Sequence, residues 1–299
     1  MNMPSGPIPI TVLGGYLGAG KTTLLNRILR APGGRRIGVV VNDFGSLAID
    51  VDALAGAGPD GIVSLPNGCV CCTLGSDLFE ALRALAAVDP PLDHIVIEAS
   101  GVADPAAAAA WGSSDGFAPG GVIVLAAADQ VQHMAGDRYV GGEVTRQIAG
   151  ADLLVVTRGD LCSVASRAAV DRWLDDVAAR VPRVEAVDGD VPADVVLGLR
   201  PDAGATADGA PHTDRYTTWS AADGVVGEGA LDALLADPPS GLLRMKGVAR
   251  FADGSTREVQ LVGRTATTRP TTSDPTGTRL VAIGIRDVLD LAALDALVG

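Results

Sequence analysis

Short apolar runs rich in β-branched residues alternate with amphipathic stretches over the first two thirds of the chain. The predicted strands are residues 8–13, 36–41, 93–98, 121–126 and 151–157. The predicted helices are residues 22–29, 79–88, 143–148 and 166–180. Strands that are apolar throughout and alternate with helices are typical of βα units around a buried sheet. The pattern therefore predicts an α/β fold with a mainly parallel sheet flanked by helices.

The pattern changes after about Asp188. Residues 191–215 are rich in Gly, Pro, Ala and Asp, which predicts a linker or a long loop. Beyond it, the predicted strands are residues 216–220, 243–251, 258–263 and 279–285, the predicted helices are 228–235 and 288–298, and residues 265–278 form a Thr/Pro-rich loop. These elements predict a smaller α+β domain. The predicted division is thus 1–190 for the first domain, 191–215 for the connection and 216–299 for the second domain.

Composition narrows the function classes. The formal net charge of −13 argues against a nucleic-acid partner, because neutralising phosphates requires a basic face. No apolar run reaches the roughly 18 to 20 residues that span a bilayer, and the N-terminal residues lack the pattern of a secretory signal. Three of the four cysteines lie close together, which suits a reducing compartment better than a disulfide framework. We therefore predict a soluble, cytoplasmic protein without a membrane partner.

A complete phosphate-binding motif follows the first predicted strand and opens the first predicted helix. G-x-x-x-x-G-K-[ST] is matched by Gly15-Tyr16-Leu17-Gly18-Ala19-Gly20-Lys21-Thr22. In such a P-loop the backbone amides and the helix N-terminus surround the phosphates. The lysine reaches the β- and γ-phosphates, and the threonine hydroxyl binds Mg²⁺. The residues predicted to bind the nucleotide here are Gly15, Gly18, Ala19, Gly20, Lys21, Thr22 and Thr23.

An acidic residue closes the strand predicted at 93–98. Glu98 comes directly after four β-prone residues and is followed by Ala99-Ser100-Gly101. A carboxylate in this place can hold Mg²⁺ directly or through water, or order the attacking water. Gly101 is expected to give the next loop the freedom to approach a γ-phosphate. Lys21, Thr22 and Glu98 are the predicted catalytic residues, and Thr22 and Glu98 the predicted magnesium ligands.

Four residues that follow the apolar run of residues 153–156 indicate which base is bound. Guanine-specific P-loop proteins carry N-K-x-D there, and this chain has Thr157-Arg158-Gly159-Asp160. Asp160 can accept hydrogen bonds from guanine N1 and N2, which adenine does not offer. Arg158 replaces the lysine of the motif and can still cover the face of the base. Thr157 replaces the asparagine and lacks the hydrogen bonding of its amide. Thr157, Arg158 and Asp160 therefore predict GTP as the nucleotide.

The clustered cysteines predict a transition-metal site. Thiolates of Cys69, Cys71 and Cys72 would select Zn²⁺, Co²⁺ or Cu⁺ over Mg²⁺. In an extended strand Cys72 would face away from the other two, so three thiolates on one ion require a turn. Pro66-Asn67-Gly68 just upstream makes such irregular backbone plausible. The alternative of buried structural thiols stays open.

Taken together, these residues resemble the CobW-type P-loop GTPases. The resemblance rests on residues 14–23, Asn42-Asp43-Phe44-Gly45, Cys69-Val70-Cys71-Cys72, residues 98–105 and residues 157–161, and in the second domain on Arg244-Met245-Lys246-Gly247 and residues 280–284. Members of that family are proposed or shown to act as metallochaperones and metal-enzyme activators. The resemblance implies that Cys69, Cys71 and Cys72 bind zinc or cobalt, with Asp43 as a further metal ligand.

This sequence departs from the family pattern in three places, which limits how far the family's residue roles can be assigned to it. Asp43 stands where the family usually has Glu, so its reach would be shorter. The base motif is altered, as described above. The His-rich loop of many members is absent, since His94, His133 and His212 are scattered along the chain.

The function predicted from the sequence is a GTP-hydrolysing metallochaperone. Bound GTP with Mg²⁺ would order the loops that hold zinc or cobalt, and hydrolysis would release the ion to a client metalloprotein or a metal-cofactor assembly enzyme. A homodimer is compatible with this function. Two alternatives remain: an ATP-dependent small-molecule kinase or ATPase with a structural zinc, and a cysteine redox sensor.

Overall fold

The computed structural model describes residues 6–41, 62–64, 74–101, 104–198, 216–271 and 277–298. The chain divides into two units, Met1–Ala193 and Asp194–Gly299. The first unit is built on a sheet whose described strands are β1 (Ile8–Gly14), β2 (Ile37–Val41), β3 (Ile62–Ser64), β4 (His94–Glu98), β5 (Phe117–Ala127), β6 (Leu153–Thr157) and β7 (Arg183–Ala186). All pairs between these strands are parallel, in the order β3-β2-β4-β1-β5-β6-β7.

Helices accompany the strands of this first unit. They are α1 (Lys21–Arg30), α2 (Leu74–Ala86), α3 (Pro105–Ala109), α4 (Val131–Ala135), α5 (Gly141–Ala149) and α6 (Val164–Ala178), with 3-10 turns at Ala110–Ser113 and Gly159–Leu161. The strands are buried almost throughout because helices cover the sheet, and this burial explains their unbroken apolar sequence.

Two apolar clusters form the core of the first unit. One joins α2, through Leu78, Leu82 and Leu85, to strand residues such as Ile95. The other joins α5 and α6 to β5 and β6. Parallel strands bring their carboxyl ends to one edge of the sheet, where loops gather functional side chains. The ends of β1, β4 and β6 therefore position the site described below.

The second unit is an antiparallel sheet with short helices. Its described strands are β8 (Tyr216–Ala221), β9 (Leu242–Arg250), β10 (Thr256–Val262), β11 (Thr265–Pro270) and β12 (Arg279–Ile285), in the order β11-β10-β9-β12-β8. The helices are α7 (Ala193–Leu197), which spans the boundary between the units, α8 (Glu228–Ala236) and α9 (Leu291–Asp295). A core of α8, α9 and sheet residues includes Trp219, Leu231 and Leu294. The predicted fold class, an α/β P-loop domain followed by a smaller α+β domain, is confirmed.

Two residues of the Arg244-Met245-Lys246-Gly247 segment have clear structural roles. The buried Arg244 guanidinium donates hydrogen bonds to the carbonyl oxygens of Val195 and Val196, and so satisfies the end of α7. Gly247 has a φ of 143°, and a Cβ there would overlap the carbonyl oxygen of Arg279 on the neighbouring strand. Only glycine fits this position of β9.

Several elements differ from the sequence prediction. Strand β11 lies in the predicted Thr/Pro-rich loop, because six consecutive residues pair with β10. Such pairing outweighs local composition. Helix α7 lies inside the segment predicted as a linker, and α9 is shorter than the helix predicted at 288–298. Among the described residues, no helix is both long and apolar enough to cross a membrane.

Candidate nucleotide site

The P-loop has the backbone conformation that its glycines predict. Gly15, Gly18 and Gly20 have φ values of 125°, 78° and 96°, all in the region that L side chains rarely adopt. A Cβ on Gly15 would also lie 2.5 Å from the carbonyl oxygen of Leu125 on β5. The loop thus turns tightly over the sheet, and α1 begins at Lys21 directly after it. This geometry presents a helix N-terminus to an anion.

Lys21 folds back along this loop. Its side chain is only 8% exposed, and Nζ donates hydrogen bonds to the carbonyl oxygens of Gly15 at 2.8 Å and Tyr16 at 3.4 Å. The ammonium group is therefore held beside the loop that would surround the phosphates. This is the place that the motif predicts for the lysine.

Thr22 and Glu98 meet although 76 residues separate them in the chain. Strand β4 pairs with β1, with Glu98 opposite Leu13, so Glu98 ends beside the P-loop. The Thr22 hydroxyl donates a 2.7 Å hydrogen bond to Glu98 Oε1, and Glu98 is 6% exposed. A hydroxyl and a carboxylate are the hard oxygen ligands that Mg²⁺ prefers. These two residues therefore fit the predicted magnesium site.

Gly101 contacts the P-loop directly. A Cβ on Gly101 would lie 2.7 Å from the backbone nitrogen of Leu17. The sequence analysis explained this glycine by the freedom it gives to the next loop. The structure gives another reason, the close approach of two backbones. Of the remaining predicted phosphate-binding residues, Ala19 is buried and Thr23 is exposed in the first turn of α1.

The predicted base motif lies next to the P-loop. Thr157 is buried at the end of β6, and its hydroxyl donates a 2.9 Å hydrogen bond to the carbonyl oxygen of Ala19. Arg158 has a φ of 56°, and its guanidinium forms a 2.7 Å ion pair with Asp129. Asp160 is exposed in the following 3-10 turn. Thr157 thus links the base motif to the P-loop, and Asp160 is accessible to a ligand.

Gly159 completes the local geometry of this motif. A Cβ there would lie 2.6 Å from the Nη1 atom of Arg167. Arg167 forms ion pairs with Asp171 and, at 2.7 Å, with Glu185. Burial lowers the pKa of Arg167, but the hydrogen bonds that its guanidinium donates to Asp171 and the negative charge of Glu185 outweigh burial, so the pKa is raised. The charged guanidinium of Arg167 therefore packs against Gly159 and leaves no room for a side chain there.

The predicted transition-metal ligands Cys69, Cys71, Cys72 and Asp43 lie outside the described residues. Within the described ranges, no group of three or more His, Cys, Asp or Glu side chains could hold a metal ion. The thiolate site therefore stays a prediction.

Two polar residues of the site were not predicted from the sequence. Asp129 follows β5 and pairs with Arg158, and Gln147 lies buried in α5 between two loops of the site. The signal for Gln147 was a lone polar residue on the apolar face of a helix, beside Val144 and Ile148. The signal for Asp129 was a carboxylate two residues after a buried strand.

Comparison with known proteins decides the family. The model for the CobW/HypB/UreG nucleotide-binding domain matches residues 9–185, and that for the cobalamin synthesis protein cobW C-terminal domain matches residues 217–298. The chain belongs to the CobW family of P-loop GTPases. The predicted family is confirmed, and with it the predicted enzyme class, a nucleoside-triphosphate hydrolase.

One relative covers almost the whole length of this CobW-family chain. A protein named zinc chaperone CobW from Sinorhizobium sp is 31% identical and covers 97% of this chain and 96% of its own length. A second zinc chaperone CobW, from Pseudomonas aeruginosa, is 34% identical over 69% of this chain and 64% of the relative. The crystal structure of a Zn(II)-bound triple mutant of YjiA GTPase covers 100% of both chains at 25% identity, with a TM-score of 0.47.

Proposed function

We propose that this CobW-family GTPase is a metallochaperone that binds zinc or cobalt as cargo and delivers it under the control of GTP. The cargo ligands would be Cys69, Cys71 and Cys72, with Asp43 as a further ligand. The recipient would be a client metalloprotein or a metal-cofactor assembly enzyme. The observation that carries the proposal is the hydrogen bond from Thr22 to Glu98 beside a complete P-loop, in a chain that also contains the segment Cys69-Val70-Cys71-Cys72. Relatives named zinc chaperones support the choice of cargo.

The nucleotide part of the mechanism follows from the described side chains. Lys21, held beside Gly15, would transfer its hydrogen bonds from backbone carbonyls to the β- and γ-phosphates. Thr22 and Glu98 would hold Mg²⁺, which neutralises the charge on the transferred phosphoryl group. Asp160, exposed beside the P-loop, would select guanine. The role of Glu98, whose side chain is itself largely shielded from solvent, would then be to orient the metal or a water molecule.

The control of metal binding would be a linkage between two ligands. Residues 42–45 stand in the chain where P-loop GTPases carry the first switch, and the cysteines lie between them and Glu98. If GTP raises the affinity for zinc, zinc must raise the affinity for GTP by the same factor. Hydrolysis would then weaken metal binding and favour transfer.

The test is a competition titration with Co²⁺ and Zn²⁺ on the full-length protein. It is run with Mg²⁺ and a non-hydrolysable GTP analogue, with GDP, and with an ATP analogue. Metal affinity should rise by about tenfold or more with the GTP analogue alone, which corresponds to a coupling free energy of at least about 1.4 kcal/mol. A metal affinity that is the same with every nucleotide would overturn the proposal that GTP controls metal binding. A metal affinity that rises with the ATP analogue would favour the kinase or ATPase alternative.

Cysteine variants test the cargo site in the same titration. Cys71→Ser and Cys72→Ser should abolish tight binding, because a hydroxyl is a far weaker ligand for zinc than a thiolate. The matched control is Cys162→Ser, since Cys162 is a half-buried free thiol beside the base motif. Cysteines that react with oxidants while metal binding is absent would instead favour the redox sensor.

A further inference from the structure

Gln147 is a buried side chain that joins two loops of the nucleotide site. It lies in the last turn of α5 and is 4% exposed. Its Oε1 atom accepts a 3.1 Å hydrogen bond from the backbone nitrogen of Gly15. Its Nε2 atom donates to the carbonyl oxygen of Gly101 at 3.4 Å and to Glu143 Oε1 at 3.2 Å. One amide group therefore contacts the P-loop and the loop after β4.

These two loops carry different parts of the phosphate site. Gly15 opens the P-loop, and its carbonyl oxygen accepts the hydrogen bond from Lys21 Nζ. Gly101 lies three residues after Glu98, which accepts the hydrogen bond from Thr22. The backbone of Gly101 also packs against the nitrogen of Leu17. The relative position of the two loops thus decides how Lys21 and Glu98 face one nucleotide.

An amide side chain is suited to this place. It can accept from a backbone N–H and donate to a backbone C=O at the same time, whereas a carboxylate only accepts. A buried polar group that loses its partner is costly, so each contact of Gln147 constrains the loop it reaches. On the buried face of α5, Gln147 is the polar neighbour of Val144 and Ile148, which belong to the apolar core.

We propose that Gln147 is a positioning residue of the GTPase, which fixes the loop of Glu98 and Gly101 against the P-loop. It acts through the backbone of Gly15 and Gly101 and has no direct contact with the phosphates. Lys21 and the P-loop amides would hold a diphosphate by themselves, whereas a γ-phosphate would also face the loop that follows β4. Gln147 therefore matters more for GTP than for GDP. The inference rests on GTP hydrolysis and is independent of metal delivery.

The first test is Gln147→Glu in the full-length protein with Mg²⁺. This variant keeps the shape and the acceptor for Gly15, but it removes the donor to Gly101. We expect kcat for GTP hydrolysis to fall by about tenfold, and the affinity for a non-hydrolysable GTP analogue to fall about tenfold relative to GDP. The matched control is Gln132→Glu, because Gln132 makes an exposed contact with Ala169. That control should keep the wild-type kcat and nucleotide preference.

A second variant separates positioning from simple stability of α5. Gln147→Glu combined with Glu143→Gln exchanges the two side chains, so a hydrogen bond between positions 143 and 147 can form again without charge repulsion. The donor to Gly101 remains missing. We expect the double variant to regain the part of the melting temperature that repulsion between positions 143 and 147 had cost, while kcat stays about tenfold low. Recovery of kcat together with stability, or unchanged nucleotide preference in either variant, would overturn the proposal.

Discussion

At the phosphate end of the nucleotide site the path of the loop depends on the backbone conformation of glycines, whereas at the base end the loop is held by side-chain contacts. Gly15, Gly18 and Gly20 adopt positive φ angles, and a Cβ on Gly15 would meet the carbonyl oxygen of Leu125. At the base end, Thr157 binds the carbonyl oxygen of Ala19 and Arg158 pairs with Asp129. The phosphate end matches its motif at every required position, and the base end departs from N-K-x-D at two.

This difference has a physical reason. A backbone conformation with positive φ and no room for a Cβ can be supplied by glycine alone. A side-chain contact can be supplied by another side chain with a donor in the same place, as the Thr157 hydroxyl shows. We therefore expect substitutions at the phosphate end to have larger effects than substitutions at the base end.

The largest effect is expected for Lys21→Met. The variant removes the positive charge that would face the β- and γ-phosphates, so GTP hydrolysis should fall by on the order of a hundredfold or more. Steady-state phosphate release at saturating GTP measures it. The control is Lys246→Met in the second unit, which changes the other lysine of the chain and should leave hydrolysis unchanged. A smaller loss than for the base variants would contradict the comparison.

Gly15→Ala tests the backbone itself. The new methyl group would meet Leu125 O at a φ of 125°, and we expect a decrease of about 2–4 kcal/mol in the free energy of unfolding. Urea denaturation measures it. Gly34→Ala is the control, because Gly34 has a φ of 72° with nothing within 4 Å of a Cβ. It should lose only about 1 kcal/mol, and equal losses would show that the contact with β5 is unimportant.

Asp160→Asn tests the choice of base. The carboxylate can accept two hydrogen bonds from guanine, whereas an amide accepts one and donates the other, so GTP affinity should fall by about tenfold to thirtyfold. ATP affinity should hardly change. Competition between GTP and ATP for a fluorescent nucleotide measures the ratio. Because Asp160 is exposed, the melting temperature should stay constant. An unchanged ratio would remove the argument for guanine.

The smallest effect is expected for Thr157→Val. The two side chains have the same shape, but the variant loses the hydrogen bond to Ala19 O, which should cost about 1–2 kcal/mol of stability. Denaturant unfolding checks this loss. The control is Thr218→Val, an exposed position of β8, where we expect a change within about 0.5 kcal/mol. If Thr157→Val lowered the free energy of unfolding more than Gly15→Ala does, the base end would be more sensitive to substitution than the phosphate end, contrary to the comparison.

The sequence was most informative where the chemistry is local. The P-loop occupies eight consecutive residues between a strand and a helix, so its spacing could be tested directly. Glu98 was found because it ends an apolar run. Thr157 was predicted as part of the base motif, and the structure adds that its hydroxyl donates a hydrogen bond to the P-loop carbonyl oxygen of Ala19. Gly101 was explained by the flexibility that it gives to its loop, but the close approach of the Leu17 backbone is a better explanation for a glycine there.

Contacts between distant residues could not be predicted in this way. Gln147 lies 132 residues from Gly15 and 46 from Gly101, and nothing in the local pattern of α5 gives these partners. Asp129 and Arg158 meet because β5 and β6 are neighbours and end at the same edge. Strand β11 was missed for a similar reason, since its pairing with β10 outweighs its Thr/Pro composition.

The sequence by itself determined the fold class, the family and the phosphate chemistry of this protein, because hydrophobic period, glycine spacing and a lysine-threonine pair are properties of short segments. The tertiary structure decided which loops are coupled. Gln147 can contact the Gly15 and Gly101 backbones together only because the parallel sheet brings the ends of β1 and β4 side by side, within reach of α5. Hydrogen bonds over such separations depend on strand order, which no local pattern encodes.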